Sequence, residues 1–144
     1  MTACIQFKRG YKYQLQAGCA IRLPELADPT RGPIITYWIE LDPDGTMRFR
    51  PGYAWDGASG PTYDSKSSMR PSLPHDGGYQ LIRMGLLPMS CRPKLDAAFH
   101  RMCKEDRMLP PRAWLWFHLV RIFAESAAKP GTERPVETAG CGCT

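Results

Sequence analysis

Three short segments concentrate side chains able to move protons and hold a cation: Trp55-Asp56-Gly57-Ala58-Ser59, Pro74-His75-Asp76-Gly77-Gly78-Tyr79 and Leu95-Asp96-Ala97-Ala98-Phe99. An imidazole is the side chain best suited to take a proton from water near neutral pH, provided that a carboxylate fixes its tautomer. His75 is the candidate base, Asp96 the group that orients it, and Tyr79 a hydroxyl able to donate to Asp96. Asp76, with Asp56 and the carbonyls of the Gly57 loop, is a hard-oxygen set suited to calcium. A cation held there polarises an ester carbonyl and stabilises its oxyanion, so the chemistry these residues suggest is calcium-assisted hydrolysis.

That chemistry needs two neighbouring helices and a loop. His75 and Asp76 leave a helix axis about 100° apart, so one can face a cleft while the other faces a packed loop. Tyr79 lies one turn beyond His75 on the same face, and Asp96 shares a face with Phe99 and His100. Antiparallel packing of the two helices brings the Asp96 carboxylate to one imidazole nitrogen and leaves the other free. Gly77 and Gly78 each cost about 1 kcal/mol in a helix relative to Ala. That cost is expected where a substrate or the calcium loop approaches closely.

The rest of the pattern predicts an α+β protein: a small antiparallel sheet of N-terminal hairpins, then three helices, the first two forming the site. Ile5–Lys8 and Tyr11–Leu15 alternate around Arg9-Gly10 as a hairpin would. Ile34–Leu41 reads as one strand facing Met47–Phe49 across the turn Asp42-Pro43-Asp44-Gly45. Residues 51–71 read as a long Gly- and Pro-rich loop. Helices are expected from Ser72, as cap, to about Met84; from Pro93 to Met108; and from Arg112 to about Ala127. The third is apolar almost all round, and packing into the core is the expectation. Residues 1–128 form the expected single domain, and 129–144 a Pro/Gly-rich C-terminal tail that would ordinarily be disordered.

Composition is that of an ordinary soluble protein, with 43% hydrophobic and 23% charged residues in a chain of 144. The net charge of +5 is modest, and its basic excess lies largely between Arg83 and Arg121. No nucleic-acid motif accompanies it, so nucleic acid is not an expected partner. The N-terminus lacks the charged start and apolar run of a secretory signal, and no apolar run is long enough for a membrane span. Synthesis in a cytoplasm, with at most peripheral membrane contact, is the expectation. Six Cys at irregular spacings suggest free thiols. His100 and Cys103 with Cys91 supply only three of the four ligands of a zinc site. Cys141-Gly142-Cys143 could hold a metal or iron–sulfur centre with further ligands, or be two idle thiols.

The order Asp-Gly-x-Ser, His-Asp-x-x-Tyr, Asp-x-x-Phe resembles the prokaryotic phospholipase A2 group, and so does the spacing from His75 to Asp96. The resemblance implies calcium on Asp56, the Gly57 carbonyl and Asp76, a catalytic pair of His75 and Asp96, and membrane lipid or another acyl ester as substrate. The chain departs from the secreted enzymes at Ala58, where a half-cystine commonly lies, and in its N-terminal β region. Residues 33–124 also resemble a family of small phage and prophage proteins without an assigned activity. Its features are a Gly-Tyr-x-Trp-Asp-Gly-Ala-Ser-x-Pro loop (52–61), the two motif helices and a last helix carrying an Arg, here Arg121. This second resemblance implies synthesis in a bacterial host. It also implies the alternative of a non-catalytic virion component, in a tail or baseplate, that keeps the scaffold and contacts other virion proteins.

Overall fold

The computed structural model describes residues 5–7, 13–57, 66–123 and 137–139. Its strands are β1 (Ile5–Phe7), β2 (Tyr13–Gln14), β3 (Cys19–Arg22), β4 (Ile34–Ile35), β5 (Ile39–Leu41), β6 (Thr46–Phe49), β7 (Ala54–Trp55) and β8 (Glu137–Ala139), and its helices α1 (Lys66–Arg83), α2 (Arg92–Glu105) and α3 (Pro110–Phe123). All strand pairs are antiparallel, in a four-stranded sheet of order β3-β6-β5-β4 and two-stranded sheets β1-β8 and β2-β7. The class is α+β, as the sequence pattern predicts.

The sheet's inner face follows period-two patterning: Ile34, Ile39, Leu41, Met47 and Phe49 are buried. The turn at Asp42–Gly45 forms as expected and sets Ile39 opposite Phe49 and Leu41 opposite Met47. Two expectations fail nearby. Ile34–Leu41 is not one strand but a second hairpin, with Ile34 paired to Leu41. Thr36 makes the bend: its hydroxyl accepts from the Ile39 N–H (2.9 Å) and donates to the Ile39 carbonyl (2.8 Å). The predicted Ile5–Leu15 hairpin is also replaced, since β1 pairs with β8 and β2 with β7. Part of the tail is therefore held by the chain's own first strand.

α1 begins earlier than its cap signal indicates, so Ser72 is interior and Pro71 and Pro74 both lie inside the helix. An interior Pro removes a helix hydrogen bond and costs about 3 kcal/mol, which local propensity cannot offset. Packing does, because residues 71–75 are buried without interruption. Ser72 acts as a bridge, donating to the Met69 carbonyl (2.7 Å) and accepting from Trp55 Nε1 (2.9 Å). From Pro71 to Arg83 only Asp76, Gln80 and Arg83 are less than buried; spaced by four and three, they form one open strip. The helix ends with paired bonds from Gly85 N–H to the Ile82 carbonyl and Leu86 N–H to the Leu81 carbonyl.

The glycines of α1 serve packing, not the approach of substrate or loop. A Cβ on Gly77 would lie 2.7 Å from the Phe49 ring, and one on Gly78 2.3 Å from Leu95 Cδ2. One glycine seats the helix on the sheet and the other on α2. α2 ends at Glu105, three residues before the expected Met108, and Arg107 takes the left-handed conformation beyond it (φ 66°). Arg101 grips both carboxylate oxygens of Glu25 (2.6 and 3.1 Å), tying the short helix Pro24–Leu26 to α2. α3 buries Ala113, Trp116 and Val120 but leaves Trp114, Leu115 and Ile122 exposed. Among the described residues no helix is long and apolar enough to cross a membrane.

Gly78→Ala is expected to destabilise the fold by about 1–3 kcal/mol, because overpacking against buried Leu95 outweighs the gain in helix propensity. Urea denaturation of the variant and the parent checks this.

Candidate active site

Packing through Gly78 brings α1 and α2 close enough for their polar residues to meet. His75 Nε2 lies 2.8 Å from Asp96 Oδ1, and the Tyr79 hydroxyl donates to the same oxygen at 2.6 Å. An ionised carboxylate can only accept, so the proton of neutral His75 sits on Nε2 and Nδ1 keeps its lone pair. His75, Asp96 and Tyr79 thus come together as their spacing predicts. The ring is held by neighbours as well as by its hydrogen bond: its centroid is 4.3 Å from Tyr79 and 5.3 Å from Phe99.

The lone-pair nitrogen faces the open strip of α1, with Nδ1 3.8 Å from Asp76 Oδ1. His75 is only 5% exposed, whereas the Asp76 side chain beside it is 22% exposed. Burial alone would lower the proton affinity of His75, but the Asp76 and Asp96 carboxylates outweigh it and the net shift is upward. Burial raises the Asp76 carboxyl; His75 opposes that shift, and the negative charge of Asp56 adds to it. Burial and the bond to Asp96 hold the Tyr79 hydroxyl far above its ordinary value, so it stays a proton donor.

β7 carries Asp56 to this place. Trp55 docks on Ser72, one helical turn before Asp76, and its ring also meets Tyr13 of β2 at 5.6 Å. The next residue, Asp56, is close enough for its charge to act on Asp76, and Gly57 turns the chain with φ 80°. Two carboxylates that repel each other beside a backbone turn are a donor set a divalent cation would relieve. The three proposed calcium ligands thus fit such an ion in kind, with Asp56 and Asp76 the charged members.

The zinc alternative is not supported. Cys91 and Cys103 are buried free thiols, and burial pushes Cys103 up to about 12. Among the described residues no three or more His, Cys, Asp or Glu side chains gather as metal ligands. This holds for His100, Cys103 and Cys91 and equally for the surroundings of Asp56 and Asp76, where a cation would draw on two carboxylates and backbone oxygen. Cys141 and Cys143 lie outside the described residues.

Two residues near the site were not among the predicted site residues. Arg92 Nη1 and Arg121 Nη1 lie 4.0 and 3.6 Å from Asp96 Oδ2, the oxygen that His75 and Tyr79 leave alone. The spacing of Arg92 to Asp96 is the i, i+4 of a helical ion pair and was a readable signal. Comparison of the chain with protein families, curated proteins and solved structures gave no match.

His75 is expected to titrate above its ordinary value of about 6.5. Its bound-proton form then favours the fold fully below that value, and the contribution fades as pH rises through the folded midpoint. Imidazole NMR titration checks the shift, and Asp76→Asn or Asp96→Asn is expected to lower the midpoint.

Proposed function

We propose that the chain is a phage-encoded, calcium-dependent acyl-ester hydrolase of phospholipase A2-like design. The observation that carries this reading is the 2.8 Å contact between His75 Nε2 and Asp96 Oδ1. It leaves Nδ1 as the only basic ring nitrogen, on the side where Asp76 is open to solvent. His75 takes a proton from water there, while Asp96 and Tyr79 hold the ring and favour the imidazolium that results. Asp76, Asp56 and the Gly57 carbonyl would hold calcium, whose chemistry when bound is to polarise the ester carbonyl and offset the oxyanion charge. Envelope lipid is the implied substrate.

One observation favours a second reading, a non-catalytic tail or baseplate component. Trp114, Leu115 and Ile122 form an exposed apolar stripe along one face of α3. Patches of this kind mark contact surfaces. Under that reading the buried His75–Asp96–Tyr79 cluster is a structural polar core.

Fatty-acid release from phospholipid vesicles, with calcium and with chelator, separates the two. The hydrolase releases fatty acid only with calcium, and His75→Gln and Asp96→Asn each lower the rate by about 10²–10⁴. A folded wild-type protein that releases none, yet sediments with phage particles, overturns the enzyme in favour of the component.

A further inference from the structure

We infer that Arg92 and Arg121 are positioning residues whose guanidinium groups hold the Asp96 carboxylate from the side opposite His75. Asp96 is completely buried, and both of its hydrogen bonds, from His75 and Tyr79, fall on Oδ1. Oδ2 has no hydrogen-bond partner. A carboxylate buried in this way is costly unless its charge is met. Two cations meet it: Arg121 Nη1 at 3.6 Å, from the last turn of α3, and Arg92 Nη1 at 4.0 Å, from the start of α2.

The two arginines are themselves linked. Arg92 Nη1 donates to the Arg121 carbonyl at 3.3 Å, placing a cation at the C-terminal end of α3, where the helix dipole favours one. The arrangement therefore fixes α3 against α2 and aims the carboxylate at the imidazole on α1. At 3.6 and 4.0 Å the guanidinium groups attract the carboxylate without claiming a lone pair. Oδ1 is thus left as the oxygen that receives the ring N–H. The Arg121 side chain is 35% exposed, against 15% for Arg92, so Arg121 is the one better shortened as a test.

This deepens the hydrolase reading and rests on it for rate effects alone; the stability and spectroscopic effects stand without it. The test is a double-mutant cycle in the full chain with Arg121→Met, Arg121→Lys and Asp96→Asn. Arg121→Met is expected to lower the urea midpoint when Asp96 is present and to leave it unchanged in Asp96→Asn, with Arg121→Lys restoring most of the loss. In parallel, the Asp96 carboxyl carbon resonance shifts in Arg121→Met and returns in Arg121→Lys; this measurement decides the matter if Asp96→Asn does not fold. Where hydrolysis is observed, Arg121→Met lowers kcat on the order of tenfold or more with KM unchanged. Equal destabilisation by Arg121→Met with and without the Asp96 charge overturns the inference, as does an unmoved resonance. Absence of hydrolysis in the wild type overturns the hydrolase reading and leaves the coupling to decide the arginines' role.

Discussion

A single buried carboxylate organises this protein. Asp96 has no exposed surface, yet it accepts from two side chains of α1 and faces guanidinium groups from α2 and α3. A charge in such a place is tolerated only when its partners are all in position. The three helices must therefore be in place together for that charge to be met. The same requirement holds His75 in one tautomer with one nitrogen turned toward Asp76.

Close approach makes this possible. Gly77 and Gly78 remove the side chains that would keep α1 away from Phe49 and Leu95. Without that proximity, a short residue such as Asp96 could not reach across from α2. Trp55 plays the matching part on the loop side, using Ser72 as its mooring and delivering Asp56 next to Asp76. The helix tolerates Pro71 and Pro74 because residues 71–75 are buried, and that packing offsets the cost of the hydrogen bonds the prolines remove.

The meeting of His75, Tyr79 and Asp96 was more legible than the strand pairing, for a physical reason. Helical spacing is a local property, so His75 to Tyr79 and the face of Asp96 could be read from residue numbers, and the turn at Asp42–Gly45 was written in its own residues. Features that depend on distant chain could not be read this way. Nothing in Ile5–Phe7 names Glu137–Ala139 as its partner, and two prolines near Ser72 imitate a helix start that burial overrides. The glycines were correctly read as a close-approach signal, but which group approaches is a tertiary fact. Arg92 was visible at i, i+4 from Asp96, whereas the contact of Arg121 depends on how α3 docks.

The pairing of β1 with β8 also constrains how the chain is built. Residues 5–7 acquire their ladder partner only once residues 137–139 have been made. Closing so long a loop is entropically slow. The three helices, by contrast, lie within residues 66–123 and take no residue from that long-range pairing. That small two-stranded sheet joins the two segments farthest apart along the sequence of any strand pair among the described residues.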